Sequence, residues 1–409
     1  MDSRADVHNI VYGTGYQIFQ STILPAIESA QHEVQFVTCF WAASKSKDAL
    51  NESLIKLSNA ALQRKTKIKV RIGFSSCSLL QKLFHTRSPE GHTYDASTWQ
   101  KKLGLPGKND ISGLDLEIRS IFFLPFSVWH PKFVIIDNRE VFLPSCNVSW
   151  EEWFEGCVHM TGPVVQQFTT FWNNHWASTA DRNDAPKPLP SHESIPQLAN
   201  LMCKFLPSPH HRNPNFRLPW QNCAPPPQTP LNIELLELFN HARRSIFIQT
   251  PNLTCPPVLD ALVAALERGV DVRVTTSERL MILEQLVTAG TTTSRCVKRL
   301  IRTYERLRSR PLDEEAGFRK PGLLHISYYE PRKERTKGVT EPVQSHLKLT
   351  AVDDEIVVFG SGNMDRASWF ASQELGVSFH SKEMVRTSLE LLEKEMVGRS
   401  KIVFDGEKH

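Results

Sequence analysis

The 409-residue sequence predicts an α/β protein built from two duplicated lobes. Three observations predict it. A set of polar residues recurs at a fixed distance, each half alternates apolar β-type runs with helix-type periodicity, and a proline-rich stretch separates the halves. The expected division is residues 1–177 for the N-terminal lobe, 178–230 for the connector and 231–409 for the C-terminal lobe. The last carries extra material around 278–322 that its partner lacks.

In the first half, "HEVQFVTCFW" (32–41) reads as a buried strand that follows a helix. "DALNESLIKLSNAALQRK" places apolar residues three and four apart, as a helix does, and "IKVRIGF" and "LDLEIRSIFF" are further strands. Then comes "HPKFVIID" (130–137), whose apolar middle suits a strand buried on both faces. Strand side chains alternate, so His130 and Lys132 are expected on one face, while Asp137 has the opposite parity and points elsewhere. Twelve of the 26 prolines fall between Pro186 and Pro230, a density that forbids long helices and central strands. An extended connector with a short helix at "IPQLANLMCKF" is expected there. The second half repeats the order with "RSIFIQTPNL", "PPVLDALVAALERG", "VDVRVTT" and "LLHISYY".

The extra segment contains "SRCVKRLIRTYERLRSR", an amphipathic helix by its spacing. Val297, Leu300, Ile301, Tyr304 and Leu307 share one face, and Arg295, Lys298, Arg299, Arg302, Arg306 and Arg308 crowd the rest. A solvated surface helix is the bland reading, and contact with an anionic surface the sharper one.

The polar repeat is specific. His346, Lys348 and Asp353 of "HLKLTAVDD" follow His130, Lys132 and Asp137 at an offset of 216 residues. Ser361 and Asn363 of "GSGN" follow Ser145 and Asn147 of "PSCN" at the same 216. Each block then reaches a Trp-Phe pair and a glutamate, Trp153-Phe154 with Glu155 and Trp369-Phe370 with Glu374.

Composition narrows the partners. With 48 basic against 44 acidic residues the net charge is +4, which favours anionic ligands but falls short of a protein that coats nucleic acid. The eight cysteines are scattered with no C-x-x-C pair, so free buried thiols in a reducing compartment are expected rather than a disulfide framework. The N-terminus lacks a signal-peptide pattern, and no run approaches the roughly 18 apolar residues of a membrane span. A cytoplasmic location is expected, with any membrane contact peripheral. The sequons at Asn51, Asn147 and Asn252 then carry no glycan.

Two strands that each present His and Lys make chemical sense if they meet, and duplicated halves commonly pack about a pseudo-two-fold axis. Two imidazoles, two ammonium groups, two Asn amides (Asn147, Asn363) and two hydroxyls (Ser145, Ser361) suit a phosphodiester. Lys and Asn donate to the non-bridging oxygens. One neutral imidazole attacks phosphorus while the other, protonated, donates to the leaving oxygen. Glu155 and Glu374 are candidates for orienting each imidazole through its second nitrogen. No metal and no cofactor is expected, because the lysines repel cations and no second His or Cys has ligand spacing. His210 and His211, in the connector, read as solvated.

These residues resemble the phospholipase D superfamily, whose signature is His-x-Lys-x4-Asp followed by Gly-Ser-x-Asn. The resemblance covers most of the chain outside the connector. It implies a two-lobed α/β/α/β sandwich fold with a single active site at the pseudo-two-fold lobe interface, a phosphohistidine intermediate and no metal requirement. By analogy His130 is the nucleophile and His346 the general acid, then base toward water or an alcohol; the symmetric sequence does not itself distinguish them. The motif aspartates, Asp137 and Asp353, are structural in the family, in line with strand parity. Pro144 stands where the family has glycine, which puts a backbone contact of the first lobe in doubt. The aspartates argue against the tyrosyl-DNA phosphodiesterase branch. No PX, PH or C2 module is evident. "SIFIQTPNL" looks like the strand that reads T-P-Y-F in cardiolipin-synthase-like members, with Asn252-Leu253 replacing the aromatic pair.

Three function classes follow. The first is a phospholipid phosphodiesterase or phosphatidyltransferase, working peripherally at a membrane surface, with Trp129 and "FFLPFSVW" offering either an apolar mouth or plain core. The second is a nucleic-acid phosphodiesterase, favoured by mild basicity and the arginine-rich helix. The third, a non-enzymatic scaffold, is disfavoured by intact motifs in both halves.

Overall fold

The apolar runs of each half pair into a mixed sheet of one repeated design. The structure, a computed structural model, describes residues 2–77, 91–123, 127–178, 195–209, 225–310, 320–334 and 340–408. The chain divides into two units, Met1–Phe205 and Leu206–His409. Connector residues 179–194 and 210–224 (with His210, His211 and Cys223), 124–126 of "FFLPFSVW" and 311–319 of the extra segment lie outside the described residues.

The first unit contains β1 (Asp2–Thr14), β2 (Glu33–Phe40), α1 (Lys45–Gln63), β3 (Ile68–Ser76), β4 (Leu114–Ser120), β5 (Phe133–Ile136), β6 (Glu140–Pro144), β7 (Trp153–Thr161) and α2 (Val164–His175). β8 (Leu198–Ser208) pairs with β1, Asp2 opposite Lys204. The strand order is β8-β1-β7-β6-β5-β2-β3-β4; only β2–β3 and β3–β4 are parallel. β2 lies between two partners, Phe36 facing Ile72 on β3 and Val134 on β5, in line with the burial of every residue from Glu33 to Cys39. Ser44 caps α1 by accepting from the Lys47 amide, and Leu50, Leu54, Leu57 and Ala61 bury one stripe of that helix against the core.

The second unit contains α3 (Pro230–His241), β9 (Ser245–Thr250), α4 (Pro256–Glu267), β10 (Asp271–Thr276), α5 (Ile282–Ala289), α6 (Thr293–Arg308), β11 (Leu324–Tyr329), β12 (Leu349–Val352), β13 (Ile356–Gly360), α7 (Arg366–Phe370), β14 (Glu374–His380), α8 (Lys382–Met396) and β15 (Ser400–Asp405). Its order, β14-β13-β12-β9-β10-β11-β15, repeats that of β7-β6-β5-β2-β3-β4, again with only the last two interior pairings parallel. Even the register recurs: Val34 faces Ile136, and Ile246 faces Val352.

Three readings need correction. "IPQLANLMCKF" is not helical, because Leu198–Ser208 forms β8; its backbone groups pair with β1, and that tertiary pairing outweighs the helical preference of Leu, Ala and Met. His130 and Lys132 are not on the regular strand, which starts at Phe133. Pro131 does not cause this, since His346, Leu347 and Lys348 likewise precede β12 without a proline. Trp129 is core rather than mouth: it is 3% exposed and stands edge-on to Trp176 at 4.9 Å between centroids.

The basic helix forms as expected, with Val297, Leu300, Tyr304 and Leu307 buried and the arginines outside. The described cysteines are free thiols, most of them buried. Among the described residues no helix is long and apolar enough to cross a membrane.

Candidate active site

The motif aspartates build the frame. Asp137 and Asn138 turn the β5–β6 hairpin with φ of 53° and 49°, and Asp353 and Asp354 turn β12–β13 with φ of 56° and 55°. Two successive left-handed residues suit a tight hairpin, and Asn and Asp tolerate them best after glycine. The turn swings the Asp137 carboxylate out of the strand, where it accepts from the amides of Gln31 (2.9 Å), His32 (2.7 Å) and Glu33 (2.9 Å). Asp353 likewise accepts from Arg243 (2.9 Å), Arg244 (2.7 Å) and Ser245 (3.0 Å). Each aspartate therefore braces its hairpin to the start of the neighbouring central strand. Burial raises the Asp353 pKa, but the backbone donors and Arg244 outweigh it and hold the carboxyl below its ordinary value.

The hairpin aims the His-x-Lys pair. Lys132 is fully buried, and its Nζ donates to the His130 carbonyl at 2.8 Å. Lys348 Nζ donates to the His346 carbonyl at 2.6 Å and lies 2.8 and 2.9 Å from the two ring nitrogens of His346. His346 is buried, and His130 is half-buried.

Each unit also holds a serine–carboxylate pair. Ser145 Oγ donates to Glu155 Oε2 at 2.5 Å and accepts from the Gly156 amide at 2.9 Å. Ser361 Oγ donates to Glu374 Oε2 at 2.5 Å and accepts from the Leu375 amide at 3.0 Å. The second block has three more residues between its aromatic pair and its glutamate, 371–373; they follow the short helix α7, which Asp365 caps, and Glu374 is still the partner of Ser361 as Glu155 is of Ser145. Pro144 does not disturb the first copy: the Ser145 amide reaches the Gly156 carbonyl at 2.8 Å, as Ser361 reaches Leu375 at 2.9 Å. Glycine is required only in the second copy, where a Cβ on Gly360 would sit 2.4 Å from the Leu375 carbonyl oxygen.

The asparagines are held differently. Asn147 Oδ1 accepts from the Phe40 amide at 3.2 Å, whereas Asn363 Nδ2 donates to Asp365 at 3.0 Å. Asn363 Oδ1 is buried with no hydrogen-bond partner among the described residues. Within each unit His-x-Lys thus lies just before the first strand of the hairpin and Ser-x-Asn just after the second, with the glutamate bonded to the serine from the next strand.

Two features escaped sequence reasoning. Thr38 and Thr250 occupy matching places near the ends of β2 and β9, and their hydroxyls accept from the Val148 (3.3 Å) and Met364 (3.1 Å) amides, tethering the Asn-bearing loops. Their shared place in the repeated strand was the available signal. Glu151 is the second. It is partly buried, its Oε2 has no hydrogen-bond partner among the described residues, and its pKa is pushed up to about 7. Burial is the main cause and the Glu155 charge adds to it, against the pull of Lys132. The second copy has Ala367 at the corresponding place, 216 residues on, so only the first half-site carries this carboxyl.

Residues 235–396 match the family model described as cardiolipin synthase, PLD-like domain. No curated protein matches the sequence. Among solved structures, phosphatidylserine synthase of Haemophilus influenzae Rd KW20 is similar over 99% of this chain and 90% of that one, with a TM-score of 0.60 at 15% identity. Polyphosphate kinase of Porphyromonas gingivalis is similar over 98% of this chain and 48% of its own, with a TM-score of 0.50 at 11% identity. At such identities the likeness speaks for the fold. The match over residues 235–396 identifies a PLD-like domain in the C-terminal half, and the doubled His-x-Lys-x4-Asp motif of the whole chain resembles the phospholipase D superfamily.

Proposed function

We propose that the protein is a phosphatidyltransferase or phospholipase D-type phosphodiesterase acting on phospholipids. The observation that carries this reading is the repeated half-site: a buried lysine folded onto its histidine, and a serine bonded at 2.5 Å to a buried glutamate, in both copies. Its lipid substrate class is supported by the cardiolipin-synthase-like match over 235–396 and by the fold shared with a phosphatidylserine synthase.

In the proposed reaction both half-sites serve one phosphodiester. A neutral imidazole attacks phosphorus; the P–N bond forms as the P–O bond to the headgroup alcohol breaks. The second, protonated imidazole gives its proton to the departing oxygen. It then takes a proton from water or an acceptor alcohol, whose oxygen attacks phosphorus and breaks the P–N bond. By family analogy His130 attacks and His346 handles protons. Lys132 and Lys348 neutralise the charge on the non-bridging oxygens, together with Asn147 and Asn363. Glu155 and Glu374, each bonded to its serine, Ser145 or Ser361, orient the imidazoles.

The test incubates pure protein with phosphatidylcholine or phosphatidylglycerol and a primary alcohol, and separately with single-stranded DNA and RNA, all with EDTA present. Phosphatidyl-alcohol product is expected, with a bell-shaped pH–rate profile from one neutral and one protonated histidine. His130→Ala and His346→Ala should each abolish it. Cleaved polynucleotide with inert lipid, or wild-type turnover in either variant, overturns the reading.

A further inference from the structure

Helix α5 is built inside out. It lies in the extra segment of the C-terminal half, and its sequence is ILEQLVTA. Ile282, Leu283, Leu286 and Val287 span an arc of about 140° at 100° per residue. All four are exposed, by 38%, 80%, 37% and 49%. They are a third of the twelve exposed large hydrophobics among the described residues, gathered on one helix of eight residues. Ordinary surface helices turn such a stripe inward.

The inward face of α5 is polar. Gln285, its one buried residue, contacts the Leu280 carbonyl at 2.5 Å and the Asn252 amide at 2.9 Å. Its Oε1 accepts from the Thr293 amide at 2.6 Å and the Thr293 hydroxyl at 3.0 Å. Arg366 Nη1 adds a bond to the Thr288 carbonyl at 3.1 Å. An eight-residue helix does not persist on its own in water; these bonds hold it with its apolar side outward. Exposed cations flank it in sequence: Arg279 just before α5, paired with Glu278 at 3.9 Å, and Arg295, Lys298, Arg299 and Arg302 on the following helix α6, outnumbering Glu284 and Glu305, the exposed acids of the two helices. The same polar hub touches the half-site. The Asn252 amide lies 3.4 Å from the Asp365 carboxylate, to which Asn363 donates.

We propose that α5, with the basic face of α6, is a docking surface for a phospholipid bilayer that carries anionic headgroups. Apolar side chains beside cationic ones match such an interface: the former enter the headgroup–acyl boundary and the latter meet lipid phosphates. A soluble protein partner would not call for the cationic surround, and an isolated apolar patch of this kind marks an interaction site. The inference rests on the phospholipid reading for its purpose, and its test does not require turnover.

The full chain is sedimented with vesicles of phosphatidylcholine alone and of phosphatidylcholine mixed with phosphatidylglycerol. Wild-type protein should partition to the mixed vesicles, and more weakly as salt is raised. Leu283→Glu combined with Val287→Glu, both at exposed positions, should lower partitioning by about tenfold or more, since two buried aliphatic contacts are lost. Arg299→Glu combined with Arg302→Glu should remove the preference for phosphatidylglycerol. Circular dichroism checks that each variant is folded. Wild-type partitioning by the folded Leu283/Val287 variant overturns the proposal. So does a wild-type dimer in light scattering that this variant converts to monomer, which would assign the patch to a second copy. Vesicle binding without phospholipid turnover would overturn the functional reading and leave docking standing; turnover of a soluble short-chain phospholipid without vesicle binding would do the reverse.

Discussion

Replacing Glu151 with glutamine tests the electrostatics of the first half-site. The Glu151 carboxyl rises from an ordinary 4.5 to about 7, mainly through burial and secondarily through the Glu155 charge. Below pH 4.5 the group is protonated both folded and unfolded, so it contributes no pH-dependent difference. Between 4.5 and 7 the unfolded chain releases the proton and the folded chain keeps it, so stability falls as pH rises. Above about 7 the folded protein carries the full penalty. At ~1.4 kcal/mol per tenfold, that rise sets a ceiling of about 3 kcal/mol, and water at the partly exposed edge lowers it to about 2 kcal/mol. Glutamine has nearly the same shape and never ionises. Glu151→Gln should therefore be the more stable protein at pH 8 by about 2 kcal/mol, with the advantage fading toward pH 4.5. Denaturant midpoints across that range, read by tryptophan fluorescence, measure it. A variant destabilised at pH 8, or a gap that ignores pH, would refute the reasoning.

Two more predictions follow from the paired geometry. Ser361→Ala removes the donor to Glu374 and the acceptor for the Leu375 amide, so both are left buried, and a loss of about 1–3 kcal/mol is expected in denaturant midpoint. Ser145→Ala should cost a similar amount, because Glu155 and Gly156 lose the same contacts; a neutral result in either would dismiss the serine as a strut. Asp353→Ala should lose about 1 kcal/mol or more at pH 7, as a lost capping side chain does. Because its folded pKa is depressed, the stabilisation is present above the unfolded pKa and is lost as pH falls through the folded one. The gap to wild type should close in acid, and a gap constant down to pH 2 would contradict the brace.

Much of this was readable from the chain because duplication supplies its own control. One His-x-Lys is an ordinary strand end; the same pair 216 residues later, with Ser-x-Asn at matched distance, is a pattern. The order of strands and helices was equally legible, since β2 and β9 are rich in β-branched and aromatic residues, and α1 and α4 have clear helical spacing. β8 was misread because its side chains favour helix, and only pairing with β1 makes it a strand. The apolar face of α5 was invisible for a related reason. Its pattern is that of a buried amphipathic helix, and the sequence does not say which side is turned inward.

The sequence by itself determined the doubled motif, the α/β alternation and the candidate site residues, because composition and spacing are local properties of the chain. The tertiary structure alone decided how those residues are held. It showed that Asp137 and Asp353 brace backbone amides and that each serine is tied to a glutamate ten or more positions away. It also isolated Glu151 in a partly buried place that holds its proton near neutral pH. Hydrogen-bond partners and desolvation depend on which distant segments meet, and a linear pattern carries no record of that.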